Sequence, residues 1–472
     1  MSFNDVLTKL NDVMYTYVLI IMLVGVGVFF TIRTKGAQFR LFLDGLKSVM
    51  EPAGEQKEGE ERKVSSFQAL MISTASRVGT GNIAGIATAI AAGGPGAVFW
   101  MWLMALIGGA SAFIESTLAQ VYKIKDNGQF RGGPSYYMER ALGKRWMGVL
   151  FSVLLILCFA YGFNGLQSYN MSSALEYYIP NYSETIWPMV LGIILAAVTG
   201  LVIWGGTHRI GFISSVIVPI MATIYILMGL VTMILNITEL PGVIALIMKE
   251  AFDVQAIMGG FAGSAVVLGI KRGLFSNEAG MGSAPNASAS ANVEHPVKQG
   301  LVQVISVFID TILICSSTAF MLLLSGVEGQ SGVLDGIPYV QAAISANVGS
   351  WGIHFITFSI FAFAFTSLIG NYCYAESNIL FIKNNKVVLN IFRVTCLLAI
   401  FLGAQADFSL VWNLADITMG FMAIVNIIAL FMLRKIALKV LADYDKQKKE
   451  GKKPVFYEDS VGLTGTVWTK DR

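Results

Sequence analysis

Long apolar runs alternate with short polar stretches along the whole chain, near residues 13–32, 67–92, 96–122, 147–177, 187–205, 211–236, 252–270, 300–325, 351–375, 387–403 and 409–433. Most have roughly the 20 residues that a helix needs to cross a bilayer, so the pattern predicts an all-α polytopic membrane protein with about 11 transmembrane helices. The first run lacks a small-residue cleavage site and reads as a span rather than a cleaved leader.

Two of these runs are interrupted by glycine clusters: Arg77-Val78-Gly79-Thr80-Gly81-Asn82-Ile83-Ala84-Gly85 and Gly259-Gly260-Phe261-Ala262-Gly263-Ser264. A broken helix survives in lipid only where its freed amides and carbonyls bind something. Glycines in membrane helices also serve close packing. With the first span set aside, however, the breaks open the first and the sixth of the ten remaining runs, the pattern of a 5+5 inverted repeat with a substrate site between the halves. The expected division is an N-terminal helix and loop (1–66), two five-helix repeats (67–236 and 237–433) and a cytoplasmic tail (434–472).

Loop charge supplies an independent count. Arg33, Lys35, Arg40 and Lys47, then Lys123, Lys125 and Arg131, then Arg209, then Lys271, Arg272 and Lys298, then Lys383 and Lys386, and finally Arg434 and Lys435 fall in every second loop, hence on one side of the apolar runs. The stretches 178–187, 327–349 and 404–407 contain no Lys or Arg. The positive-inside rule then puts the amino terminus outside and the carboxyl terminus in the cytoplasm, which requires an odd number of spans. The charged segments 51–63 and 443–453 read as solvated cytoplasmic stretches.

Composition agrees with the class. Hydrophobic residues make up 55% of the 472 and charged residues 13%, where a soluble chain has about a quarter charged. The net charge of +3 lies in loops, so no nucleic-acid partner is implied. Cys158, Cys315, Cys373 and Cys396 sit within apolar runs without metal-ligand spacing. No nucleophile–base constellation, phosphate-cradling motif or repeated filter is present, which disfavours an enzyme, an ATP-driven pump and a channel. No obligate protein partner is implied; the partners expected are a small solute, an ion and lipid.

The second break has a competitor, the polar stretch Ser276-Asn277-Glu278-Ala279-Gly280-Met281-Gly282-Ser283-Ala284-Pro285-Asn286. Placing that stretch at the midplane would sink Lys271 and Arg272 into hydrocarbon, at about 2.5–3.5 kcal/mol each. The expectation is therefore a break at 259–264, with Phe261, Gly263 and Ser264 as candidate substrate contacts and 276–286 as a cytoplasmic-side cap. Among ionisable residues in the runs, Glu115 and Glu376 are expected at the interface, and Arg77 and Asp310 in ion pairing or gating.

At the first break, the amides of Gly79, Thr80 and Gly81 face a helix restart, where the partial positive charge suits a carboxylate, and Asn82 lies beside them. The segments Gly93-Gly94-Pro95-Gly96-Ala97-Val98-Phe99-Trp100-Met101-Trp102, Arg272-Gly273-Leu274-Phe275-Ser276-Asn277-Glu278-Ala279-Gly280 and Gly282-Ser283-Ala284-Pro285 resemble the alanine or glycine:cation symporter family, a branch of the amino acid-polyamine-organocation superfamily. The likeness runs from about Tyr17 to Leu433. It implies the leucine-transporter type of fold and sodium-coupled uptake of small neutral amino acids across a prokaryotic cytoplasmic membrane. Residue by residue, it implies that Gln167 contacts substrate and that sodium is held by the carbonyls of Ala75 and Val78 with the hydroxyls of Thr366 and Ser367. Bland readings stand beside these: a buried Gln can merely link helices, and Thr and Ser can bond back to their own helix. One position departs from the family pattern. Asn371 stands where members selective for alanine and glycine commonly carry tryptophan, which enlarges the expected pocket and makes glutamine a candidate substrate beside alanine and glycine. Proton coupling on the same fold is the alternative to sodium coupling.

Overall fold

The computed structural model describes residues 3–52, 64–126, 128–253 and 264–470. Among the described residues, the helices that frame the two breaks and the spans are α1 (Asp5–Arg33), α2 (Ser66–Arg77), α3 (Gly81–Gly93), α4 (Ala97–Val121), α5 (Arg145–Ser173), α6 (Trp187–Ile203), α7 (Gly206–Leu235), α8 (Ala265–Asn277), α9 (Pro285–Ser290), α10 (Pro296–Leu323), α11 (Trp351–Ile382), α12 (Lys386–Gly403) and α13 (Phe408–Lys449). Eight of them are long and apolar enough to cross a membrane. The shorter α6 and the interrupted pair α2/α3 occupy two other stretches where hydropathy predicts spans, while α8 overlaps only the end of the run 252–270 and α9 lies beyond it.

Local chemistry starts these helices. Ser65 and Gln68 form a reciprocal capping box at the head of α2, and Asn385 caps α12 by accepting from Val387 N and Val388 N. Proline occupies the first turn of α6, α9 and α10, where its missing N–H costs nothing. The centre of the molecule is α4, packed against α8 and α10, and its Phe113 and Glu115 are fully buried. Nearby, α11 crosses the end of α2 so closely that a Cβ on Gly370 would stand 2.9 Å from the Ser76 amide nitrogen. Only a small residue permits that approach. The crossing sets α11 side chains against the first helix break.

The sequence expectations need correction in four places. First, Glu278–Ala284, expected within a cap, is a helix interruption between α8 and α9 that faces the first break; the break expected at 259–264, with Phe261 and Gly263, lies outside the described residues but for Ser264. Second, Lys271 and Arg272 are interior rather than at a surface. Asp416 on α13 receives Arg272 Nη1 at 3.0 Å and Nη2 at 3.1 Å and Lys271 Nζ at 2.6 Å. The Arg272 guanidinium also lies 4.2 Å from the Trp412 ring centroid. A buried cation is costly alone and tolerable when paired and hydrogen-bonded, so the charge argument against a break at 278–284 fails once the counter-charge is seen.

Third, Glu115 and Glu376 are buried instead of interfacial; Glu376 pairs with Arg393 at 3.2 Å. Fourth, the carboxyl-terminal region is not a free tail. Helix α13 runs through the expected boundary at 434 to Lys449, with Arg40 bonded to Asp445 at 2.6 Å and Tyr444 buried. The chain then folds back, so that Phe456 N donates to Glu294 O at 2.9 Å and the fully buried Trp468 indole donates to Gln120 O at 2.9 Å. Of the stretch 443–453, Tyr444 is buried and Asp443, Asp445 and Gln447 are half-buried, while Lys446 and residues 448–453 are exposed. A backbone bridge between Val64 and Ala291 joins the approach to α2 with the end of α9.

Candidate substrate and ion site

The first break begins where Val78 leaves the helix in an extended conformation, with φ −75° and ψ 91°, followed by Gly79 and, two residues on, Gly81. Its amide still bonds to Thr74 O at 2.7 Å, but the carbonyls of Ala75 and Val78 find no turn beyond them. The Ser367 hydroxyl on α11 stands 3.0 Å from Ala75 O and 3.2 Å from Val78 O. One hydroxyl proton can serve only one of those carbonyls at a time. Three neutral oxygens therefore converge at the end of α2, a donor set that fits a weakly charged hard cation such as sodium. Thr366 does not join them in this arrangement, because its hydroxyl donates to Phe363 O at 2.9 Å within its own helix.

On the other side of the break, Thr80 N donates to Gln167 Oε1 at 3.0 Å and Gly79 N donates to Asn82 Oδ1 at 3.0 Å. Gln167 reaches this point from α5 and meets the amide row. A Cβ on Gly79 would collide with Ser367 Oγ and the Gln167 amide, so the ion-type oxygens and the amide row share one wall. The Thr80 hydroxyl is buried without a hydrogen-bond partner among the described residues. An orphaned buried hydroxyl is a group that a ligand can satisfy.

Asn371 is buried, with its amide already engaged: Nδ2 donates to Asn164 Oδ1 at 3.0 Å and Oδ1 accepts from Ser76 Oγ at 2.7 Å. Ser76 in turn lies 3.2 Å from Glu278 Oε1. Asn371 therefore connects α5 and α11 to both breaks through Ser76. Ser264 does something else. It caps the start of α8 by accepting from Val267 N at 3.5 Å, roughly 20 Å along the helix axis from the break at the other end.

Three aromatic residues complete the first break and were not singled out from the sequence. Phe275 of α8 packs over Gly81, leaving no room for a side chain there. Its ring lies 4.8 Å from Phe163 and 5.4 Å from Trp412. Phe275 stands within a quoted motif, but only a break placed after Asn277 brings it beside Gly81.

The second break is built differently. Glu278 has φ 56°, Gly280 φ 83° and Gly282 φ 89°. Glu115 of α4 accepts from Gly280 N at 3.3 Å, while Asn426 of α13 donates to Gly280 O and to Glu115, each at 2.9 Å. Glu278 also accepts from Ser283 Oγ. Arg77 donates to Gln303 at 3.0 Å and interacts electrostatically with Glu115, Glu278 and Asp310, without a direct ion pair among the described residues.

The geometry coincides with family membership. The model of the sodium:alanine symporter family matches residues 1–458. The chain is 47% identical to the amino-acid carrier protein AlsT of Bacillus subtilis over 459 residues, 97% of this chain and 96% of that one. It is 49% identical to the probable sodium/glutamine symporter GlnT of the same organism over 449 residues, 95% and 92% of the two chains. Among solved structures, MhsT in complex with L-phenylalanine superposes with a TM-score of 0.53 at 13% identity, covering 87% of this chain and 95% of the other. At that identity the likeness establishes the fold alone, that of the leucine-transporter type. The chain is a multi-pass membrane transporter, not an enzyme, and it belongs to the sodium:alanine symporter family.

Proposed function

We propose that this protein imports small neutral amino acids by sodium-coupled symport through alternating access. The observation that carries this reading is the Ser367 hydroxyl set between the freed carbonyls of Ala75 and Val78, one residue from the Gly79–Gly81 amide row. An ion at the end of α2 and a carboxylate on the amides of Gly79, Thr80 and Gly81 would share a single break, so each stabilises the backbone conformation that the other needs. Gln167 and Asn82 line that row, and Gln167 exchanges its bond to Thr80 N for the substrate carboxylate. Thr366 joins the ion if its hydroxyl turns from Phe363 O. The five-helix repeats 67–236 and 237–433 move around this site, with the amino terminus outside and the carboxyl terminus cytoplasmic.

Alanine and glycine are the substrates proposed from the family, with glutamine added on the strength of Asn371 and of the name of one relative. Proton coupling is the second reading, favoured by the buried carboxylates Glu115, Glu278 and Asp310. Uptake of labelled alanine, glycine and glutamine into proteoliposomes, under separate sodium and proton gradients, distinguishes the two. Sodium-driven accumulation is expected; accumulation driven by protons without sodium overturns the ion assignment. Replacing Asn371 by Trp is expected to exclude glutamine and spare alanine, and an unchanged ratio removes Asn371 from the pocket.

A further inference from the structure

Asp310 lies on a π-helical turn of α10, Ile309–Cys315, fully buried and without an ion pair among the described residues. Its two carboxylate oxygens are divided between the two breaks. Oδ1 accepts from Asn82 Nδ2 at 2.7 Å, and Oδ2 accepts from Ser276 Oγ and, at 3.1 Å, from Thr311 Oγ1. Asn82 belongs to the first turn of α3, just after the first break, and Ser276 to the last turn of α8, just before the second. The two also meet directly, with Asn82 Nδ2 3.1 Å from Ser276 Oγ.

An amide has a donor end and an acceptor end, and a carboxylate only accepts. With its NH₂ drawn to Asp310, Asn82 has to turn Oδ1 toward Gly79 N, where it accepts at 3.0 Å. Thr318, a turn beyond the π-helical segment, holds the Asn82 carbonyl by a 2.6 Å bond. From this geometry we propose that Asp310 is a positioning residue: its carboxylate sets the orientation of Asn82, and so the shape of the amide row at the first break, and ties that row to the end of α8. This replaces the ion-pairing or gating role expected from the sequence, and it rests on the substrate reading of the first break given above. Because one carboxylate holds both breaks, α8 and α3 keep their spacing whenever either moves.

The polarity of the Asn82–Asp310 contact provides the test. In Asp310→Asn the new amide has to present an NH₂ either to Asn82 or to Ser276, and in Asn82→Asp two carboxylates face each other. Combined, the exchange restores one donor and one acceptor at the same place. Half-saturating L-alanine and maximal uptake rate are measured in proteoliposomes at saturating sodium. Each single variant is expected to raise the half-saturating concentration by about tenfold or more, the scale for losing a hydrogen bond to a charged group. The double variant is expected to return to within about threefold of wild type, a recovery that a purely structural defect would not show. Ser276→Ala, a milder loss, is expected to shift the same quantity by a smaller factor and covers the case in which the exchanged proteins do not insert. Wild-type half-saturation in Asp310→Asn, a double variant worse than either single one, or an unshifted Ser276→Ala when the others do not insert overturns the proposal. Wild-type protein that takes up no alanine with sodium would count against the substrate reading instead.

Discussion

The two helix breaks use glycine for opposite reasons. At the first, glycine is required by space, since a Cβ on Gly79 meets Ser367 and Gln167 and one on Gly81 meets the Phe275 ring. At the second it is required by dihedral angle, since Gly280 and Gly282 have φ of 83° and 89°. The freed amides and carbonyls of the first break meet the neutral groups of Ser367, Gln167 and Asn82, with the Asp310 carboxylate one hydrogen bond behind Asn82, whereas the backbone of the second is held directly by the Glu115 carboxylate. A break faced by neutral groups suits a zwitterion and a single cation, whereas a break clamped by Glu115 and Asn426 is suited to act as a rigid partner. Substitutions at the two places should therefore fail in different ways.

The largest effect is expected at Gly81. Leucine there has to displace Phe275, and overpacking of about 1–3 kcal/mol corresponds to roughly 5- to 150-fold weaker amino-acid binding at saturating sodium. Substrate competition in detergent-solubilised protein measures it, and wild-type affinity in Gly81→Leu would remove the break from the binding site. Next comes the ion. Ser367→Ala should raise half-saturating sodium by about tenfold, whereas Thr366→Ala, whose hydroxyl bonds within its own helix, should change it by less than about threefold. Equal shifts in the two variants would show that both hydroxyls ligate in the transporting state.

A smaller and different effect is expected at Gly280. The nearest atom to an added Cβ is Ser111 Cβ at 3.5 Å, so there is room, but the left-handed backbone costs an ordinary residue about 1–2 kcal/mol. Gly280→Ala should lower the melting temperature and leave half-saturating alanine nearly unchanged. A large affinity loss without loss of stability would erase the distinction between the breaks.

The smallest effect concerns the region beyond both breaks. Burial holds the His295 imidazole below its ordinary range, against the pull of Asp443 at 3.3 Å. The folded state then binds fewer protons than the unfolded chain, so the stability this group contributes is present above about pH 6.5 and declines as pH falls below it. Phe456 meets His295 edge-on, at 5.3 Å between ring centroids. Hydrogen exchange around Phe456 should accordingly be faster at pH 5.5 than at pH 7.5, and His295→Gln should flatten that difference.

Much of this site was legible along the chain. The glycine run 79–85 in an apolar segment, the hydroxyl pair at 366 and 367 and the amide at Gln167 pointed to the residues that converge on the first break. The direction of each hydroxyl was not legible, because adjacent residues on a helix face about 100° apart and only the crossing of α11 over α2 selects Ser367. The interruption at 278–284 was expected only as a cap for a related reason. The cost of placing Lys271 and Arg272 in the interior was judged without Asp416, which lies 144 residues beyond Arg272 in the chain.

The class of the protein, most of the apolar runs that become helices and the first break follow from neighbouring residues, whose burial and backbone freedom add up locally. Which interruption faces the first break, which hydroxyl meets Ala75 and Val78, and the burial of Trp468 against Gln120 come from the packing of distant segments. These depend on hydrogen-bond and charge partners contributed by distant segments, and a buried polar group takes its meaning from the partner that satisfies it.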